Sequence, residues 1–259
     1  MIPIGDDNRG KHRPPVVVIV LILINVVVFV YQLTLDSSGA AGAACEVMVG
    51  EGRTGAGTEL ECFVYRYGVR AYELTHLEDV APTIGFTIFA TIFTSMFMHG
   101  GWLHIAGNML YLWIFGDNVE DAMGHIRFLI FYLLTGVGAV VLQVAIDRNA
   151  LVPMVGASGA IAGVLAAYIA LFPHGRVRVL VFLGFFVTVL ALPALIVIGF
   201  WILLQFFSGF ASLGPETRGT GGGVAYFAHI GGFLAGLALV FLFQDSRALA
   251  RIRRSRAWD

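Results

Sequence analysis

Ser158 stands in Val155-Gly156-Ala157-Ser158-Gly159-Ala160 and His229 in Phe227-Ala228-His229-Ile230-Gly231-Gly232, each in an apolar run of membrane length. A serine hydroxyl is a poor nucleophile until a neighbouring base takes its proton, and a neutral imidazole is such a base. Together they point to acyl transfer inside a bilayer. The tetrahedral intermediate of that chemistry needs hydrogen-bond donors for its oxyanion. His104 and Asn108 are four residues apart, hence on one helical face, and can supply two of them. The backbone N–H of Ser158, at a helix N-terminus, can supply a third. No Asp or Glu lies between Asn149 and Pro215 or between Gly219 and Gln244, and the nearest acids, Asp147 and Glu216, read as loop residues. The expectation is therefore a Ser–His dyad. His99, five residues before His104, is expected to order the start of that helix by hydrogen bonding or to touch substrate or water. A metal held by His99, His104 and His229 is the competing arrangement. It lacks a carboxylate or thiol at the same depth, so no metal and no cofactor is expected.

The elements that must position these groups follow from charge. The chain has 259 residues, 58% hydrophobic and 13% charged, whereas a soluble domain carries roughly 25% charged residues. It reads as an all-α, polytopic membrane protein; its net charge of −1 says nothing about nucleic acid, and no nucleic-acid partner is expected. Asp, Glu, Lys and Arg are absent from residues 14–35, 80–116, 128–146, 149–175, 179–215 and 219–244. A spanning helix needs about 20 apolar residues. The second and fifth runs are too long for one helix and short for two. The second is read as a helix at about 101–116 with an apolar, partly embedded lead-in at 83–98. The fifth is read as a helix at about 193–209, since Pro193 breaks the run. Six spans result.

Eleven basic residues (Arg9, Lys11, Arg13, Arg127, Arg176, Arg178, Arg247, Arg251, Arg253, Arg254 and Arg256) then fall on one side, against five (Arg53, Arg66, Arg70, Arg148 and Arg218) on the other. That bias puts both termini in the cytoplasm, in a plasma or inner membrane. It fails locally, where Asp117, Glu120 and Asp121 face Arg127 alone. The organisation is a cytoplasmic tail at 1–13, a membrane domain at 14–243 with an outer loop at 36–79, and a basic cytoplasmic tail at 244–259 lying on the anionic membrane surface. The first run has 22 uncharged residues, longer than the about 7–15 of a signal core, so it reads as an uncleaved span despite Ala41-Gly42-Ala43. Cys45 and Cys62 share the outer loop. They can form a disulfide in an oxidising compartment, stabilising by roughly 3 kcal/mol, or remain two thiols. The glycine-rich stretch Val49 to Thr58 reads as flexible.

Helices running inward from about Gly101, Val155 and Val224 would put His104, Ser158 and His229 roughly 5–8 Å deep on one side. Gly159 and Gly163, and Gly232 and Gly236, form small-xxx-small patterns that let membrane helices approach closely. Packing through those two seams would bring Ser158 and His229 together at the top of the contact. Asn25 reads as a helix–helix hydrogen bond within the first span.

His99-Gly100-Gly101-Trp102-Leu103-His104-Ile105-Ala106-Gly107-Asn108-Met109 resembles the second-helix signature of rhomboid intramembrane serine proteases. Gly156-Ala157-Ser158-Gly159 is similar to their nucleophile motif, and Ala228-His229-Ile230-Gly231-Gly232-Phe233-Leu234-Ala235-Gly236 to their sixth-helix motif. The resemblance covers about Phe86 to Phe243. It implies a six-helix rhomboid bundle with Ser158 as nucleophile and His229 as general base and acid. It also implies an oxyanion held by His104, Asn108 and the Ser158 amide, and single-span membrane proteins as substrates, without metal or nucleotide. Ala90-Thr91 stand where many members carry Trp-Arg, and Ala162 stands where some place a tyrosine stacked on the histidine. The base must then be oriented by another group. Two other classes compete: a catalytically silent protein that binds membrane clients, and a small-solute transporter. The silent class typically lacks the serine or histidine, and a transporter usually shows paired halves or broken helices at mid-depth.

Overall fold

The computed structural model describes residues 2–6, 11–40, 42–50, 53–183, 186–212 and 225–256. Arg9, Ala41, Glu216, Arg218 and the expected helix start at Val224 lie outside the described residues. The chain is mostly helical. In order it forms β1 (Ile2–Asp6), α1 (Val16–Thr34), β2 (Cys45–Gly50), β3 (Arg53–Gly57), α2 (Glu59–Tyr67), α3 (Ala71–His76) and α4 (Thr91–Thr94), the last between two 3₁₀ turns. There follow α5 (Trp102–Met123), α6 (His125–Ile146), α7 (Ser158–Leu171), β4 (Arg176–Leu183), β5 (Phe186–Pro193), α8 (Ala194–Ala211), α9 (Tyr226–Phe243) and α10 (Ser246–Arg256).

Among the described residues four helices, α1, α6, α8 and α9, are long and apolar enough to cross a membrane. The protein is thus a multi-span membrane protein. α5 is 22 residues long but ends in Asp117, Glu120 and Asp121, and α7 has only 14 residues. At 1.5 Å per residue α7 is ~21 Å long, short of the ~30 Å hydrocarbon layer. It is the central helix, with every residue from Gly159 to Tyr168 buried. A helix apolar and small on all sides is one surrounded on all sides, here by α5, α6, α8 and α9. In lipid the hydrophobic effect does not drive helices together, so close packing must. Glycines supply it: a Cβ on Gly232 would fall on the carbonyl of Gly159, and one on Gly236 would lie 2.5 Å from the Gly163 carbonyl oxygen.

The all-α expectation is corrected by two small sheets. β2 and β3 pair antiparallel, and β1, β4 and β5 form an antiparallel sheet in that order with β4 central. β4 and β5 lie in what was read as the fourth-to-fifth connection and the apolar run before Pro193. Arg176-Val177-Arg178-Val179 alternates with period two, and Val177 and Val179 are buried while Arg176 and Arg178 are exposed. That is a half-buried strand. In the glycine-rich stretch expected to be flexible, Val49 and Gly50 belong to strand β2 and Arg53–Gly57 form β3, because backbone pairing needs no side chains. Cys45 and Cys62 are disulfide-bonded beside it, with Cα atoms 6.0 Å apart. Asn25 is buried but donates to Leu21 O of its own helix at 2.7 Å, not to a neighbouring helix.

The acidic cluster that broke the charge bias has local partners. Glu120 accepts from the N–H groups of Val17 and Val18, 2.9 Å each, capping α1. Asp117 pairs with Lys11 at 2.6 Å, and Asp121 accepts from the His12 and Arg13 N–H groups at 3.1 Å. Asp245 caps α10 and pairs with Arg13 at 3.0 Å. Ala248, Leu249 and Ile252 of α10 are buried, so the basic tail is an amphipathic helix packed beneath α5. Asp117 and Asp121 are thus bound by the terminal segments, Asp121 also lying 3.5 Å from Arg251 of α10, whereas Glu120 is held by the first turn of α1 and by His125.

The long loop is anchored by Arg70. Its guanidinium is buried, donates to the carbonyls of Val80, Ala81 and Pro82 at 2.8, 2.9 and 3.2 Å, and pairs with Glu73 at 2.5 Å. Burial pulls the Arg70 guanidinium below its ordinary pKa and pushes the Glu73 carboxyl up, and each charge opposes that shift in the other. Removing one partner strands the other in a dry site. Arg70→Ala should therefore destabilise by about 3–5 kcal/mol, read as a lowered thermal midpoint in detergent. The double variant Arg70→Met with Glu73→Leu should recover part of the loss.

Candidate active site

α7 begins at Ser158 itself, three residues later than the start expected at Val155. The preceding loop is fixed from outside: Val69 and Met154 exchange backbone hydrogen bonds of 3.1 and 2.8 Å, and the Gly156 N–H donates to Ser95 O at 2.8 Å. Because α7 is short and central, its first residue is embedded within the bundle while remaining partly open. Ser158 is thereby the first helical residue, whose N–H has no partner within the helix.

His229 is the fourth residue of α9 and is buried. Gln143 of α6 reaches the start of α9, where its Oε1 accepts from the Ala228 N–H at 3.1 Å. Gly232 and Gly236, three and seven residues on, lie against Gly159 and Gly163. With the two backbones in contact at that level, Ser158 Oγ lies 2.7 Å from His229 Nε2. The other imidazole nitrogen, Nδ1, lies 2.7 Å from Gln205 Oε1, and the His229 ring centroid is 5.6 Å from that of Trp201. Trp201 and Gln205 are one turn apart on α8. Ala162 is fully buried beneath Ser158, so the aromatic neighbour of the imidazole comes from α8 instead of α7.

His104, on the first turn of α5, accepts through Nδ1 from the Gly100 N–H at 3.3 Å, so its proton belongs on Nε2. That nitrogen faces the loop before Ser158. Gly156 has φ +127°, in the region that favours glycine, and a Cβ there would lie 2.7 Å from His104 Nε2 and 3.6 Å from Ser158 Oγ. The missing side chain leaves a space between an imidazole N–H and the serine. Asn108, one turn below His104 and buried, has its Nδ2 2.9 Å from His99 Nε2. His99 is held in turn by Gln32 of α1, which donates to the His99 carbonyl at 3.2 Å and accepts from its N–H at 3.1 Å. His99 orders the start of α5 and orients Asn108. Among the described residues no group of three His, Cys, Asp or Glu side chains stands close enough to hold a metal ion.

The structure brings Ser158 and His229 together, sets His104 Nε2 beside the serine across Gly156, and places Gly159, Gly232 and Gly236 in the α7–α9 seam. Gln205, Trp201 and Gln143 were missed in the sequence. One signal was available: Gln205 is a solitary amide in Trp201-Ile-Leu-Leu-Gln205-Phe-Phe, and polar side chains in membrane helices seek partners.

Fold and site define a class, helical membrane proteins with a hydroxyl–imidazole pair inside the bundle. A family model described as Rhomboid domain matches residues 88–246. That is more than half of the chain, and the chain belongs to the rhomboid family. It is 43% identical over 74 residues to "Rhomboid-like protein 11, chloroplastic" of Arabidopsis thaliana, covering 28% of this chain and 26% of that protein. It is 29% identical over 170 residues to "Rhomboid protein 1, mitochondrial" of Saccharomyces cerevisiae, covering 64% and 44%. It is 38% identical over 90 residues to "Presenilin-associated rhomboid-like protein, mitochondrial" of Bos taurus, covering 33% and 23%. The chain thus spans less than half the length of these curated relatives.

Proposed function

We propose that this chain is an intramembrane serine endopeptidase of the rhomboid type, hydrolysing peptide bonds in or next to the transmembrane segment of single-span membrane proteins. The observation that carries this reading is the 2.7 Å contact between Ser158 Oγ and His229 Nε2 at the half-buried head of α7. His229 Nε2 takes the Ser158 proton as Oγ attacks the carbonyl carbon. The oxyanion accepts hydrogen bonds from His104 Nε2–H, Asn108 and the Ser158 N–H. Collapse expels the amine, which receives the proton from His229 and leaves an acyl-serine. Water, deprotonated by the same imidazole, attacks that ester; His229 then returns the proton to Oγ, releasing a carboxylate product and the free serine. No cofactor or metal enters these steps.

Six spans are part of the proposal: α1, α6, α8 and α9 together with α5 and the short α7. Both termini are cytoplasmic in this reading, supported by the neutralised acids at the end of α5. A plasma or inner membrane is proposed from the tail charges and from the disulfide, which suits an outer loop in an oxidising space. The relatives quoted above carry chloroplastic or mitochondrial in their names, so localisation by fractionation is the direct test of that point.

A fluorophosphonate probe tests the chemistry. It should label purified wild type on Ser158, and His229→Ala should cut the labelling rate by at least about 10²-fold. An unlabelled wild type that also leaves single-span substrates intact would overturn the protease reading in favour of a client-binding protein.

A further inference from the structure

We infer that Gln205 is the positioning residue of the base: its side-chain carbonyl fixes the tautomer and the plane of His229. This inference rests on the protease reading above and goes beyond it by assigning the group that does the work a third triad member does elsewhere.

An imidazole that takes a proton from serine through Nε2 must carry its own proton on Nδ1. Nδ1–H then needs an acceptor, because a buried donor left alone costs about 1–3 kcal/mol. Gln205 stands 2.7 Å away with a side chain that offers either an oxygen or an NH₂. The far end of the same amide decides which. Gln205 Nε2 is 3.4 Å from the Trp201 carbonyl oxygen, one helical turn back. A carbonyl only accepts, so the NH₂ belongs on that side and Oε1 on the side of His229. The oxygen can be satisfied there only by Nδ1–H, which leaves the Nε2 lone pair aimed at Ser158 Oγ, 2.7 Å away. Reversing any one assignment sets two acceptors or two donors against each other. The chain of bonds runs Trp201 C=O, Gln205, His229, Ser158, with one consistent arrangement.

Packing fixes the plane as well as the proton. Trp201 and Gln205 both come from α8, and the tryptophan ring lies 5.6 Å from the imidazole at 38°. A neutral amide differs from a carboxylate in an instructive way. It orients the imidazole without charge, so nothing ionic has to be buried among apolar side chains. That accounts for a working pair with no acid between Asn149 and Pro215 or between Gly219 and Gln244.

The test compares Gln205→Leu, Gln205→Met and Gln205→Glu with wild type, by fluorophosphonate labelling rate and by kcat and KM on a single-span substrate in liposomes. Leu and Met keep apolar bulk on α8 and remove the acceptor, whereas Glu keeps the acceptor. The labelling rate and kcat should fall about 10- to 100-fold in Leu and Met with KM within twofold, and Glu should restore at least a third of the wild-type rate. A role confined to packing predicts the reverse order, with Leu and Met near wild type and Glu impaired. Wild-type labelling in both Leu and Met would overturn the assignment while leaving the protease reading in place. A wild type inert to probe and substrate would end both. Thermal midpoints identify any variant that fails to fold, and Met, close to Gln in length, decides the matter if Leu does not.

Discussion

Ser158→Ala should abolish cleavage of a single-span substrate reconstituted with the protein in liposomes, a loss of at least about 10⁴-fold. In the proposed mechanism this hydroxyl forms the acyl intermediate, and its removal leaves His229 Nε2 with no proton to take. The oxyanion donors remain, and such donors alone retain roughly 10³–10⁴-fold over water in a serine hydrolase. On the time scale of the assay that residue of activity is invisible. The fold should survive. Among the described residues Ser158 Oγ makes one hydrogen bond, to His229, worth about 1 kcal/mol net, and an alanine at the first position of α7 is a good helix former. A thermal midpoint within a few degrees of wild type, joined to lost turnover, is the expected pair of results. Undiminished cleavage by this variant would mean that the serine is not the nucleophile.

How far the site could be read in the sequence depends on whether the signal was a motif or a contact. Ser158, His229 and the glycines around them were legible because the small residues that let α7 and α9 touch sit at fixed spacings from the two polar ones. His104 and Asn108 were legible as an i, i+4 pair. Gln205 was legible only as a solitary amide in an apolar helix that must find a partner, since a linear pattern does not say that the partner is His229. Arg70 reads as one loop charge among several for a similar reason: beside Glu73, its partners are three successive carbonyls, which have no sequence signature. The strands β4 and β5 were hidden by the rule that located the spans, because Val179 to Pro193 carries no charge and was absorbed into a membrane run. Its β-branched residues and the preceding Arg-Val-Arg-Val alternation held the contrary signal. The start of α7 at Ser158 was also unmarked, as Ala157 before it offers no side-chain cap.

Gly232→Ala is the substitution expected to damage the protein most for its size. A Cβ at this position falls on the carbonyl oxygen of Gly159. The clash is with backbone, so no rotamer relieves it, and non-bonded heavy atoms come to rest at about 3.5 Å. α7 and α9 must part by roughly 1 Å or more, and overpacking of this kind costs about 1–3 kcal/mol or above. The chemistry suffers beyond the stability. Ser158 immediately precedes Gly159, and His229 precedes Gly232 by three residues, so the separation opens at the Oγ–Nε2 contact. A displacement of about 1 Å at reacting groups costs on the order of 10² in rate. The expected result is a lowered thermal midpoint together with a kcat reduced about 100-fold when assayed at a temperature where the variant is folded. Gly199→Ala on α8 is the control, because among the described residues no group from another element lies within 4 Å of the added methyl. It should keep wild-type kcat and gain up to about 1 kcal/mol from helix propensity. If Gly232→Ala matched that control in both midpoint and rate, α7 and α9 would not be held at backbone contact, and the seam could not be what sets the serine against the histidine.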